Sequence, residues 1–262
     1  MTLYDAIFTR KSIRSFNTDP VEQSLIDELV DFLSDLEAPL PNIDWDFDTL
    51  TYSEISDILE GPPKLLAPHF LVLRSEKNKG CLQNCGYIGE MAVLWLTAHG
   101  IATCWQGGLS CVHDFDGVLP YIAAIGFGRS EESFRSGVAD FNRKPLGHYA
   151  IGDTNGPLRT VMEAMPPAPS SLGMQATRLY CIANRIHIYR KRPFPPMPQL
   201  NYNQCLDAGV IAAHLQVAGN ALGYDVLMEK LEPAPEYKKN MIYQMSARCI
   251  RRDAVQTADD HK

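Results

Sequence analysis

The 262-residue chain has little of what would mark a specialised environment. Its seven cysteines (Cys81, Cys85, Cys104, Cys111, Cys181, Cys205 and Cys249) contain no C-x-x-C pair, and no second Cys/His pair completes a zinc set beside Cys81 and Cys85. A scattered, odd set of this kind argues against a disulfide framework, predicts no metal site, and reads as reduced thiols in a cytoplasmic protein. Long apolar runs are missing too. The strongest patch, residues 91–97, falls far short of the ~20 residues needed to span a bilayer, so no membrane span is expected. Asp5 interrupts the N-terminus before a signal-peptide core can develop. Nor is there a positive excess: 24 Lys+Arg against 31 Asp+Glu give a formal net charge of −7, which argues against a nucleic-acid partner. What remains, 45% hydrophobic and 21% charged residues, is ordinary globular composition with material for a sizeable core.

Against this acidic background one stretch stands out: Arg10-Lys11-Ser12-Ile13-Arg14-Ser15-Phe16. Guanidinium forks grip two phosphate oxygens at once, and serine hydroxyls with backbone N–H groups complete such a cradle. The stretch reads either as half of an anion site for a phosphate-bearing cofactor or as a charged turn after a short helix over 2–9. Asp19, Pro20 and Glu22 have the spacing of a helix start, and apolar residues at helical period predict an amphipathic helix over 20–37. Residues 41–66 give no regular pattern. Strands are predicted over 69–74 and 121–127, and an apolar core helix over 84–99 stops at Gly100. Residues 129–142 read as a loop, and Arg143-Lys144-Pro145-Leu146 is a second, small basic site. A helix over 157–165 follows, then a hairpin of strands 178–183 and 185–189 turned at Asn184. A surface connection over 190–200, a core helix over 206–222 ending at Gly223 and a strand over 241–250 complete the pattern. Residues 253–262 are expected to be a disordered tail.

The two core helices superimpose in sequence. Gly86 and Gly100 of the first lie 123 positions before Gly209 and Gly223 of the second. Each is preceded by a helix broken at Ala-Pro (Ala38-Pro39, Ala168-Pro169) and by an apolar strand, and is followed by another strand. This order predicts a duplication: a first repeat over 1–150 and a second, degenerate one over 151–252, burying against each other as an intrachain pseudo-dimer.

The basic stretch resembles the R-x-S-x-R-x-F signature of the nitroreductase family of flavoproteins. Gly100-Ile101-Ala102-Thr103-Cys104-Trp105-Gln106-Gly107 resembles that family's G-x-x-T-x-W-x-G segment, and residues 123–128 its glycine-containing strand. Arg143-Lys144-Pro145-Leu146 is similar to its closing R-K-P-L, and Ala168-Pro169-Ser170-Ser171-Leu172-Gly173-Met174-Gln175 to its A-P-S-x-x-N-x-Q segment. The tandem form resembles the subgroup called putative TM nitroreductases. The resemblance implies an α+β fold with a three-layer α/β/α sheet and an FMN cofactor. It implies NAD(P)H as electron donor and a small-molecule acceptor of nitroaromatic or quinone type. Arg10, Lys11, Ser12 and Arg14 would start the FMN cradle, and Arg143 and Lys144 would finish the phosphate site. Gly107 and Gly108 would lie along the flavin N5 edge. Pro169, Ser170, Ser171, Gly173 and Gln175 would form the strip that a second subunit contributes in homodimeric relatives. The cradle has no counterpart in the second half and the strip none in the first, so one FMN site per chain is expected. The protein would be a monomeric pseudo-dimer or a weak homo-oligomer.

No catalytic side chain is implied, because a flavin carries its own hydride chemistry and the protein positions it. Gly173 stands where the family has Asn, and Ala176-Thr177 where it has Pro-Trp, which leaves open how the ring is held. Two other readings stay in view: a specialised flavin dehydrogenation or dehalogenation, and a flavin-binding module without turnover. Trp105 reads as core packing or as a flavin contact, His214 as a core residue, and His113 and His148 as ordinary surface or half-buried histidines.

Overall fold

The computed structural model describes residues 1–107, 118–137, 141–193 and 195–252; Gly108, Cys111, His113 and the tail 253–262 lie outside them. The chain is a mixed α+β protein divided into two compact units, Met1–Asp140 and Phe141–Lys262.

In the first unit, helix α1 (Leu3–Thr9) is started by a capping box. The Thr2 hydroxyl accepts from the Asp5 N–H, and the Asp5 carboxylate accepts from the Thr2 N–H at 3.0 Å. Helix α2 (Gln23–Ser34) buries Ile26, Leu29 and Leu33, but it begins later than the Asp19-Pro20 spacing predicts. A tertiary bond wins there: the Val21 N–H donates to buried His69 Nε2 at 3.0 Å, and the Arg129 guanidinium holds the Glu22 carboxylate. Both keep residues 20–22 extended.

The acidic stretch without a sequence pattern is ordered. Strand β1 (Trp45–Thr51) pairs antiparallel with β2 (His69–Ser75), and Asp48 forms an ion pair with Arg74 across the pair. Helix α3 (Tyr52–Ile58) then starts from a Thr51–Glu54 capping box. Helix α4 (Cys81–Ala98), β3 (Ala102–Gln106) and β4 (Tyr121–Gly128) complete the unit, with sheet order β1-β2-β4-β3 and every neighbouring pair antiparallel.

Both faces of this sheet are covered. All residues of α4 except Leu82 and Ala98 are buried, as a helix apolar around its circumference requires. It lies against the face carrying Leu73 and Trp105. A Cβ at Gly89 would stand 2.4 Å from the Trp105 ring, so only glycine permits this approach. On the other face Phe70, Val72, Cys104 and Ala124 pack with Ile55, Leu59, Leu65 and Ala67.

The second unit holds α5 (Leu146–Tyr149), β5 (Ala150–Gly152), α6 (Arg159–Met162), a 3₁₀ turn (Ser171–Gly173), β6 (Thr177–Ile182), β7 (Arg185–Lys191), α7 (Pro198–Ala221), β8 (Tyr224–Glu229) and β9 (Met241–Arg251). The expected hairpin is β6-β7, with Ala183 taking the positive φ of its turn. Helix α6 is shorter than the predicted 157–165. Helix α7 reaches back into the supposed surface connection, because Pro198 suits a first helical position. Strand β8, unforeseen, follows Gly223 directly. Gly219 of α7 lies against it, where a Cβ would stand 2.2 Å from Val226 Cγ2.

The sheet order here is β5-β6-β7-β9-β8. Without β5 it repeats the topology of the first unit: two antiparallel strands, a long helix, then two strands of which the second pairs inward. Gly100 and Gly223 end the two long helices with φ of 76° and 85°. Both sheets carry one bulge in the same place. Ile122 of β4 is skipped opposite Leu73/Arg74, and Gln244 of β9 opposite Ile188/Tyr189.

Candidate functional site

The predicted site residues of the first unit gather along β3, an edge strand. Ser12 forms a parallel bridge with Thr103, the Ile13 N–H donates to the Thr103 carbonyl at 3.0 Å, and the Asn17 N–H donates to the Arg129 carbonyl at 2.8 Å. Residues 10–17 thus close the open side of the sheet. This explains the mixed composition of the stretch. Ile13 is fully buried and Phe16 packs on the Ile55 cluster, while Arg14 and Ser15 face solvent.

Arg10 points inward. It is 2% exposed, its Nε lies 4.0 Å from Glu90 Oε1, and it donates to Ser12 Oγ at 3.3 Å. Glu90, fully buried on α4, also accepts from Trp105 Nε1 at 2.9 Å. One carboxylate therefore joins the Arg10 motif to the Trp105 motif. Trp105 is wedged between Gly89 and Glu90, which makes it a packing residue of this unit.

Arg14 donates to the Ser12 carbonyl at 3.3 Å. Burial pushes the Cys104 thiol pKa up, and the nearby Arg14 and Arg10 guanidiniums pull it back. Lys11 turns away and pairs with Glu132 at 2.7 Å. Gly107 follows the end of β3, exposed and with nothing where a Cβ would stand. Gly108 is outside the described residues.

In the second unit the structure brings together Arg143, Pro169, Ser170, Ser171 and Gln175 with two residues the sequence reading missed, Tyr149 and Asp207. Buried Asp207 of α7 accepts from the Ser171 N–H at 3.0 and 3.2 Å and from the Ser171 hydroxyl at 3.0 Å. The Gln175 N–H donates to Ser170 Oγ at 3.1 Å, and the Tyr149 hydroxyl donates to Gln175 Oε1. Tyr149, Pro169, Ser170, Gln175, Thr177 and Asp207 line a small cavity. Leu172, Gly173 and Gln175 all have left-handed backbone, with φ of 54°, 66° and 51°. Asn is one of the few side chains that tolerates this region, so the Gly173 backbone suits the residue the resemblance expects as well as the one present.

Burial lowers the Arg143 guanidinium pKa, and Tyr149 and Asp207 pull it back up. Exposed Lys144 lies 3.4 Å from His148 Nε2, and Arg178 approaches the same nitrogen at 3.2 Å while anchored on the Gln175 and Thr177 carbonyls. Slight desolvation and these two cations hold the His148 pKa below its ordinary value.

The missed residues had a signal. Glu90 and Asp207 are each the single Asp, Glu, Lys or Arg of a long, largely buried helix, and a charge in such a place requires partners. Among the described residues no cluster of His, Cys, Asp or Glu could hold a metal ion, and no helix is long and apolar enough to cross a membrane.

The chain is thus a mixed α+β protein with an Arg-Ser stretch flanking β3 and a Ser-Ser strip fixed to a long core helix. The family model described as Putative TM nitroreductase matches residues 2–219, and the chain belongs to that family. The crystal structure of a putative nitroreductase from Thermotoga maritima, 19% identical, aligns over 96% of this chain and 94% of its own with a TM-score of 0.65, and shares the fold. An FMN-dependent nitroreductase from Clostridium difficile is 18% identical over 51% of this chain and 91% of its own, with a TM-score of 0.38. A putative NADH oxidase from Clostridium acetobutylicum is 18% identical over 53% and 95%, with a TM-score of 0.41. Among curated proteins none matches the chain.

Proposed function

We propose that this protein is an FMN-dependent oxidoreductase that draws electrons from NAD(P)H and reduces a small organic acceptor of nitroaromatic or quinone type. The observation that carries the reading is the set of donors on the outer flank of β3: Ser12 and Arg14, with Arg10 behind them and Gly107 at the strand's end. Guanidinium, hydroxyl and backbone N–H groups make an anion-binding set, and they suit a phosphate with a polyhydroxylated chain. FMN, when bound, supplies the hydride and electron chemistry.

The chain's own residues do the rest. Arg14 and Ser12 would take the phosphate and ribityl oxygens. Glu90 holds Arg10 beneath them, and Lys11, tied to Glu132, would contribute long-range attraction. Gly107, and Gly108 after it, would offer backbone N–H groups where a side chain would obstruct. In the second unit Arg143 and Lys144 would bind phosphate oxygens, while Pro169, Ser170, Ser171, Gly173 and Gln175 would present a polar strip to the ring. Arg178 adds to the positive charge beside Lys144, both cations reaching the same nitrogen of a His148 ring whose pKa is held down. We read the two units as degenerate repeats of one ancestral unit. Their common strand order and matched bulges support this, and the reading gives one FMN per chain.

The visible spectrum of the purified protein, read against its concentration, tests the cofactor. A flavin band equivalent to one FMN per chain is expected, together with NADH or NADPH oxidation in the presence of a quinone or nitroaromatic. Colourless protein that takes up no added FMN would overturn the reading. Yellow protein that no acceptor reoxidises would leave a binding module without turnover.

A further inference from the structure

The Ser-Ser strip of the second unit is fixed to α7 by a device that also occurs in the first unit. In the second, Asp207, near the middle of the helix, reaches the backbone just after Ala168-Pro169 and accepts from the Ser171 N–H and hydroxyl. In the first, Asn84, 123 positions earlier and fully buried in the opening turn of α4, reaches the backbone just after Ala38-Pro39. It accepts from the Leu40 N–H at 2.9 Å and donates to the Leu40 carbonyl at 2.7 Å. The left-handed residues match as well: Asn42 has φ 60° three positions after Pro39, and Leu172 has φ 54° three positions after Pro169.

The two units thus fix the same loop with the same helix position, and they differ in chemistry. An amide serves in the first unit. It suits a segment, Leu40-Pro41-Asn42, that offers one N–H and one carbonyl. In the second unit a carboxylate serves a segment that offers two donors, and it stands close enough to Arg143 to favour that side chain's charged form.

Resting on the flavin reading above, we propose that Asp207 is a positioning residue. By gripping both donors of Ser171 it holds the left-handed turn at 172–175 and so keeps the Ser170 and Gln175 side chains aimed for the ligand. Asn84 is its counterpart at a loop that binds no flavin. The turn needs such a grip. Two of its three left-handed positions are the non-glycine residues Leu172 and Gln175, a costly conformation that persists only where the surroundings impose it.

The test uses the full-length chain and three variants: Asp207→Ala, Asp207→Asn and Asn84→Ala. FMN affinity is read by flavin fluorescence, stability by thermal unfolding, and order at 171–175 by amide hydrogen exchange without added flavin. Asp207→Ala is expected to weaken FMN binding about tenfold or more, as loss of hydrogen bonds to a charged acceptor predicts. It should also speed exchange at 171–175. Asn84→Ala is expected to lower the melting temperature while leaving FMN affinity within about twofold of the parent. Asp207→Asn imitates the first unit and should fold. It keeps one acceptor for the Ser171 N–H and should fall between parent and alanine variant in both FMN affinity and exchange.

If Asp207→Ala and Asn84→Ala lower stability alike and leave FMN affinity alike, the acid is only structural and the proposal fails. If Asp207→Ala does not fold, exchange at 171–175 in Asp207→Asn decides, and parental protection there refutes the grip. A parent that binds no FMN sinks the flavin reading instead, while the exchange data still report whether Asp207 holds the turn.

Discussion

Removing the Glu90 carboxylate tests how the first-unit cradle is held. The side chain is fully buried and lies 4.0 Å from the guanidinium of Arg10, itself 2% exposed. Two unit charges at that separation interact by about 4 kcal/mol at an effective dielectric constant of 20, and breaking a buried pair typically costs about 3–5 kcal/mol. Glu90→Ala also removes the acceptor of the Trp105 indole N–H, worth about 1–3 kcal/mol more. The expected loss, about 5 kcal/mol, is comparable with the whole stability of many domains. Glu90→Gln keeps an acceptor for the indole and removes only the charge, so about 3–4 kcal/mol is expected. The double variant Arg10→Met/Glu90→Gln leaves no buried ion and should lose less than the sum of its two single variants. Urea unfolding followed by tryptophan fluorescence measures the parent, Glu90→Ala, Glu90→Gln, Arg10→Met and the double variant, and with a slope of about 1–3 kcal/mol/M a loss of this size moves the midpoint by roughly 2 M. A Glu90→Gln midpoint within about 0.3 M of the parent would refute the ion pair's role. Strict additivity in the double variant would refute the coupling.

Three further outcomes are expected. Gly219→Ala places a methyl 2.2 Å from Val226 Cγ2 and should cost about 1–3 kcal/mol, of which Val226→Ala in the same chain restores a part; equal melting temperatures for Gly219→Ala and parent would count against the close approach of α7 and β8. His69 accepts the Val21 N–H through Nε2, and its pKa is depressed, chiefly by burial, with Glu54 opposing. The unfolded chain therefore binds the proton more readily. The stabilisation is complete above the unfolded value of about 6.5 and is lost as pH falls through the lower folded value, so urea midpoints should drop over that window, and by less in His69→Gln. Lys11→Ala breaks only a half-exposed ion pair and should change stability by less than about 1 kcal/mol, whereas Arg14→Ala should weaken FMN binding more than Lys11→Ala does; titration with FMN ranks them.

What was legible in the sequence was whatever is uniform or rare. Strands β2 and β4 are short, mainly apolar runs, helices α4 and α7 are long and carry a single acid each with no Lys or Arg, and glycines 100 and 223 punctuate the helices. Strand β1 was hidden because Asp46 and Asp48 interrupt its apolar residues, so that it read as an acidic loop until its pairing with β2 gave the alternation a meaning. Strand β3 was visible as a motif, not as a strand. The Asp19-Pro20 start failed because one long-range bond to His69 outweighs a local cap. Around the candidate site, the basic and glycine residues stand out by type. Their supports did not: Glu90 pairs with a residue eighty positions away, and Asp207 with one thirty-six away, and no local pattern records such distances.

The bridge between Ser12 and Thr103 has a consequence for handling the protein. The same residues that present the cations also cover the free edge of β3, an apolar strand whose unpaired backbone groups would otherwise be open to another chain. Trimming or loosening the first seventeen residues would therefore do more than remove a ligand grip. It would turn the molecule self-adhesive, with β3 recruiting strands from its own copies. Selection on solubility alone would then preserve this segment, whatever it binds.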